Sequence, residues 1–178
     1  MPRQVFAFEP PERFVAGTVG QPGDRTFYLQ ATGGGRTVSV ALEKVQVAAL
    51  AERLDDLLDE AQRKLGAEVP EVEPETLDTE PLHTPVDEEF RVGTLGLAWD
   101  ASDSMVIVEA TATAPDGEEE ISEEDLDVLR VRLSAADTRA FVARAMRLVA
   151  AGRPPCPFCG LPLDPAGHIC PRQNGYRR

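Results

Sequence analysis

Apolar residues recur along the chain with two periods, and the change from one to the other marks out its elements. Residues 3–8 and 14–20 are short extended runs separated by Glu9-Pro10-Pro11-Glu12, whose prolines fit neither a helix interior nor a central strand. Next, Thr26-Phe27-Tyr28-Leu29-Gln30-Ala31-Thr32 and Arg36-Thr37-Val38-Ser39-Val40-Ala41-Leu42 are rich in aromatic and β-branched residues and flank Gly33-Gly34-Gly35, which predicts a hairpin. From Glu43 to about Leu65 the period becomes helical. Val47, Leu50, Leu54, Leu57, Leu58 and Ala61 fall at three- and four-residue spacing, acidic residues fill the opposite face, and Gly66 is placed to stop the helix.

Residues 67–89 hold nine acids, four prolines and no lysine or arginine, so they read as a linker that supplies neither a packed core nor a regular ladder. Strand patterning returns at 90–99 and 105–113, and a second acidic run with eight acids occupies 116–127. A strand at 128–133 then enters a helix capped by Ser134 and reaching about Ala151, with Phe141, Ala145, Leu148 and Val149 facing inward.

The two halves correspond. Phe14-Val15-Ala16-Gly17-Thr18-Val19-Gly20 matches Phe90-Arg91-Val92-Gly93-Thr94-Leu95-Gly96, and Leu29-Gln30-Ala31-Thr32 matches Val108-Glu109-Ala110-Thr111. Val38, Val40 and Leu42 then align with Leu129, Val131 and Leu133, and Leu50, Arg53 and Leu57 with Phe141, Arg144 and Leu148. The second copy differs by a slightly longer first turn and a much longer acidic second turn, the places where insertions are tolerated. The expected fold is α+β: two β-β-β-α units, at 1–66 and 90–151, packed around a pseudo-twofold axis, joined by the 67–89 linker and followed by a tail at 152–178.

Composition narrows the function classes. The chain has 178 residues, of which 42% are apolar and 28% charged, ordinary usage for a folded body. Its net charge of −13 repels nucleic acid and anionic lipid over most of the surface, so either would need a local basic patch. No run approaches the ~18–20 apolar residues of a membrane span, and the first residues lack the apolar stretch of a secretory leader. A cytoplasmic protein that does not bind membranes is expected.

All three cysteines lie between positions 156 and 170. Cys156-Pro157-Phe158-Cys159-Gly160 followed by Gly167-His168-Ile169-Cys170-Pro171 offers three thiolates and one imidazole within fifteen residues, the donor set of a tetrahedral zinc knuckle. Gly160 lets the backbone fold over the metal, and the flanking prolines stiffen the approach. Four protein ligands, Cys156, Cys159, His168 and Cys170, leave no position for water or substrate, so one structural Zn2+ per chain is expected. Arg153, Arg172, Arg177 and Arg178 against Asp164 make the tail +3, which leaves −16 on residues 1–151.

Other candidates read as structural. Gly33-Gly34-Gly35 lacks a following lysine–serine pair and precedes a strand, so it is a turn and not a phosphate loop. His83 reads as a solvated linker histidine, Trp99-Asp100 as a strand end, and Ser102, Ser104 and Ser122 as turn residues without a histidine partner nearby in sequence. Glu118, Glu119, Glu120, Glu123 and Glu124 lack the alternating ligands and glycine of a calcium loop and read as a solvated run.

The opening Met1-Pro2-Arg3-Gln4-Val5-Phe6, together with the tail from Cys156-Pro157-Phe158-Cys159-Gly160-Leu161-Pro162-Leu163-Asp164-Pro165 through Gly167-His168-Ile169-Cys170-Pro171-Arg172-Gln173-Asn174-Gly175-Tyr176-Arg177-Arg178, resembles an actinobacterial family, domain of unknown function 3090. The resemblance covers essentially the whole length and implies that Cys156, Cys159, His168 and Cys170 are the family's metal-type positions. It implies no activity, but it does suggest a phosphorylation-linked pathway through gene neighbours resembling phosphoinositide kinases and histidine phosphatases. The function expected is that of a non-enzymatic interaction or adaptor protein, meeting a protein partner through Arg172, Tyr176, Arg177 and Arg178. Two other classes stand beside it. One is a nucleic-acid or transcription-machinery accessory acting through the basic tail. The other is an enzyme that acts on a phosphorylated small molecule in the cleft between the units, with Arg53 and Arg144 as anion ligands.

Overall fold

Alternating side chains put Phe14 and Ala16 on one face of a strand and Val15 and Gly17 on the other, and the same alternation in the next two runs makes an antiparallel meander. The computed structural model describes residues 3–21, 24–71, 77–114 and 125–151. Its elements run β1 (Val5–Phe8), β2 (Arg13–Gln21), β3 (Asp24–Gly33), β4 (Arg36–Leu42), α1 (Lys44–Leu65), β5 (Glu88–Asp100), β6 (Met105–Ala112), β7 (Val128–Ser134) and α2 (Ala135–Ala150). The protein is therefore of mixed α+β class, and among the described residues no helix is long and apolar enough to cross a membrane.

All seven strands join one sheet in the order β1-β7-β6-β5-β4-β3-β2. Strands β2, β3 and β4 pair antiparallel, as do β5, β6 and β7. Between these meanders β4 and β5 run parallel, but only Ser39 with Glu88 and Ala41 with Arg91 are in register, with a shift between them. The N-terminal residues that read as an extended run form β1, which pairs in parallel with β7 from the other end of the chain, Phe8 opposite Val131. The β3–β4 turn closes because Gly34 and Gly35 take φ of 58° and 77°, the left-handed values a two-residue hairpin needs.

Each helix starts and stops where side chains answer its free backbone groups. At the head of α1, Gln46 Oε1 accepts from the Glu43 N–H at 2.7 Å, and at its end Gly66 turns left-handed with φ 66°. Ser134 Oγ caps α2 by accepting from the Asp137 N–H at 3.0 Å. Leu50, Leu54 and Leu58 of α1 and Phe141, Val142 and Ala145 of α2 enter the same core as Leu29, Val40, Val108 and Val131 from the sheet.

The sheet curls until its ends approach each other. Helix α2 packs against β2 and β7, from opposite sides of the strand order, and also against α1. Phe14 on β2 stacks on Phe141 with ring centres 4.8 Å apart, and Arg36 Nη2 at the start of β4 donates to the Ala7 carbonyl on β1 at 2.9 Å. Because Leu54 on α1 is fully buried in the shared core, Leu54→Ala should cost about 2–5 kcal/mol in urea unfolding, the range for a leucine cavity. Val45→Ala, at a helix position that is 72% exposed, should stay within about 0.5 kcal/mol of the parent.

Candidate functional site

A polar side chain buried on a strand needs a partner, and Gln30, which alternation turns away from the helices, is only 1% exposed. Its Nε2 donates to Ser39 Oγ at 3.1 Å and to the His83 carbonyl at 3.0 Å, while its Oε1 accepts from the His83 N–H at 2.8 Å. One amide therefore grips both main-chain groups of a residue in the acidic segment before β5. Leu82 in the same segment is 7% exposed and sits over Gly17, where an added Cβ would come within 2.4 Å of the leucine side chain. Part of the stretch that reads as a linker is thus seated on the outer face of β2, β3 and β4.

The segment is anchored at its other end by two arginines. Arg13 Nε donates to Asp78 Oδ2 at 2.6 Å and Nη2 to Oδ1 at 3.2 Å. The same Nη2 reaches the carbonyls of Glu80 at 2.9 Å and Pro81 at 3.2 Å. From α2, Arg144 Nε donates to the Ala16 carbonyl on the free edge of β2 at 2.9 Å, and its Nη1 to the Asp78 carbonyl at 2.9 Å and to Oδ1 at 3.2 Å. Asp78 Oδ1 also accepts the Glu80 N–H at 2.9 Å. Arg13 Nη1 is buried with no hydrogen-bond partner among the described residues. Beside this cluster a cavity of about 150 Å³ opens between β2 and α2, walled by Phe14, Phe141 and Asp137.

Electrostatics follow from the geometry. The Arg13 hydrogen bond holds the Asp78 carboxyl below the usual carboxylate range, against the opposing effect of burial. Burial pushes Arg144 below its usual value while Asp78 pulls it back up, and a guanidinium remains charged at neutral pH throughout. At the end of β5, Asp100 is lowered to about 2, first by the Ser102 hydroxyl and then by Arg132. Ser102 Oγ donates to Asp100 Oδ1 at 2.6 Å, so that serine serves a turn.

The residues singled out in the sequence are scattered. Cys156, Cys159, His168 and Cys170, with Arg172, Tyr176, Arg177 and Arg178, lie outside the described residues, as do Ser122 and the glutamates from 118 to 124. Arg144 is engaged with Ala16 and Asp78. Arg53 is exposed and lines a different hollow of about 320 Å³, between α1 and β5 with Gln46, Gly93 and Leu97, so the two arginines do not meet on one ligand. Trp99 is half-buried against the core. The His83 side chain is exposed, with Nδ1 3.4 Å from Thr32 Oγ1. Among the described residues no group of three or more His, Cys, Asp or Glu is placed to hold a metal ion. Arg13, Gly17, Gln30 and Asp78 carry no functional motif in the sequence; the signal it does hold is Leu77 and Leu82, apolar residues embedded in an acidic run.

Two measurements probe the cluster. Asp78 has a lowered folded pKa, so the stability it adds is present above the ordinary carboxylate value of about 4 and is lost as pH falls through the folded value. The urea-unfolding difference between the parent and Asp78→Asn should be about 1 kcal/mol at pH 7, discounted because the carboxylate keeps roughly a third of its surface in water, and should shrink toward zero in acid. Arg144→Met, which keeps bulk but removes the donors to Ala16 and Asp78, should cost about 1–3 kcal/mol in the same assay.

No curated protein and no solved structure matches the chain. Residues 6–170 match the model of a family described as a protein of unknown function, DUF3090. That stretch begins within β1 and takes in every later element together with Cys156, Cys159, His168 and Cys170. The chain therefore belongs to the DUF3090 family.

Proposed function

We propose that the protein is a non-enzymatic interaction or adaptor protein of the cytoplasm, whose C-terminal tail is a separate module closed around one structural zinc ion. The donor set carries the reading: three cysteines and a histidine within fifteen residues fill a tetrahedral shell and leave no open position. A tail of 27 residues has too little apolar surface to fold alone, so the metal supplies its folding free energy. Support comes from where the body ends. Arg25 Nη2 donates to the Leu148 carbonyl at 3.2 Å and to the Ala151 carbonyl at 2.7 Å, so the last turn of α2 is finished by a side chain from β3 before the tail begins. With +3 on the tail and −16 elsewhere, Arg172, Tyr176, Arg177 and Arg178 suit an acidic protein surface, and nucleic acid would be met only there.

In the same reading the body is a duplicated β-β-β-α unit, β2–β4 with α1 and β5–β7 with α2. Aligning Leu50 with Phe141 places Gln46, Ala49 and Arg53 on Asp137, Ala140 and Arg144. The first set borders the hollow beside β5 and the second the cavity beside β2, the leading strand of each unit. Gln46 Nε2 donates to the Val92 carbonyl of β5 at 3.1 Å as Arg144 Nε does to the Ala16 carbonyl of β2.

Elemental analysis of the purified chain should give close to one zinc per molecule. Cys159→Ser should lower that ratio and leave the cooperative unfolding of residues 1–151 unchanged. Global unfolding of the variant would show that the tail is not a separate module. Affinity purification at two salt concentrations should recover a defined protein in the parent that is lost with Cys159→Ser, whereas a retained metabolite and no protein would favour an enzyme.

A further inference from the structure

We infer that the outer face of β2, β3 and β4 is a peptide-recognition groove, occupied in this structure by the chain's own residues 78–83, and that its partner is an acidic peptide with an aspartate four residues before a leucine. This rests on the interaction-protein reading above and names the chemistry of one partner. The contacts divide as peptide grooves divide them. Gln30 takes the N–H and carbonyl of His83, and Arg13 Nη2 takes the carbonyls of Glu80 and Pro81. These bonds go to main-chain groups and do not depend on the side chains of the residues they hold. Two others select a sequence. The Asp78 carboxylate lies in the fork of Arg13 with Arg144 beside it, and Leu82 fills a notch that exists because Gly17 has no side chain.

Among the described residues Arg13 Nη1 is buried with no hydrogen-bond partner, so an acceptor that a peptide brought to that point would be bound. The two largely buried guanidinium groups of Arg13 and Arg144 converge on one point of the groove, where they complement a carboxylate. Tethering in cis gives the resident an effective concentration on the order of mM, so the parent should hold a free copy of the same peptide only weakly.

The test uses the full chain with Asp78→Ala and Leu82→Ala, which removes the resident's two selective anchors and leaves the groove walls intact. A fluorescent peptide of residues 77–84 should bind this variant at least about tenfold more tightly than the parent. Adding Gly17→Ala to the same background should cost about tenfold or more, since the new Cβ fills the notch. A variant that unfolds cooperatively yet binds no better than the parent overturns the groove. Should the variant fail to fold, amide exchange in the parent decides: the Glu80 and His83 amides should exchange at least about 100-fold faster than that of Leu29, through local release of the segment. Exchange of these amides only with global unfolding overturns the proposal as surely. Neither readout depends on the zinc tail. A failed groove with partner recovery intact refutes this inference alone, and an intact groove with no protein partner refutes the reading it rests on.

Discussion

Unpaired strand carbonyls are the constraint to which most of this structure answers. A sheet of seven strands has two outer edges, and here the parallel β4–β5 junction adds a third opening where only two residue pairs are in register. Backbone groups in such places must find partners or stay in water. Long side chains supply them: Arg36 bonds the Ala7 carbonyl on β1, Arg144 the Ala16 carbonyl on β2, and Gln46 the Val92 carbonyl on β5. The helices that carry Arg144 and Gln46 are thereby held against the edges they close, with Phe14 and Phe141 stacked at one of them. Edge closure and core packing are the same arrangement seen from two sides.

The outer face of the first meander obeys the same rule by another route. Gln30 and Ser39 are buried there, and a face with buried polar side chains must be covered by something that offers hydrogen bonds in return. The chain offers its own main chain from the acidic segment before β5. This explains how a proline-rich, lysine-free stretch holds a buried residue such as Leu82: its order is borrowed from Arg13, Gly17 and Gln30 and owes little to its own composition. The geometry favours main-chain recognition, because amide and guanidinium groups that span a peptide unit restrict the chain's path while leaving most side chains in solvent.

Charge is used locally in a protein whose total is strongly negative. Arg139 on α2 meets Asp55 and Asp59 on α1, Arg130 meets Glu109 across β7 and β6, and Arg132 meets both Asp100 and Asp103. Such exposed or half-exposed pairs add little stability singly. Their effect is orientation, holding helix to helix and strand to turn. The Arg13–Asp78–Arg144 cluster differs because both guanidinium groups are largely buried, so removing the shared carboxylate would leave two like charges facing each other.

Local patterning by itself determined the secondary structure of the described residues. The glycine turn at Gly34 and Gly35, the helix ending at Gly66 and the Ser134 cap were legible because each depends on neighbours within a few residues. The α+β class followed from the two periods of apolar residues. Tertiary structure alone decided which strands pair. That β1 lies beside β7, and that β4 meets β5 in parallel over two pairs, depends on partners more than forty residues apart, and hydropathy periodicity carries no information about them. The candidate groove was hidden for the same reason. Arg13, Gly17, Gln30 and Asp78 look unremarkable in their local windows and Leu82 stands out only as an apolar residue in an acidic run, and they become a site only when a curled sheet and a returning segment bring their polar and apolar surfaces into register.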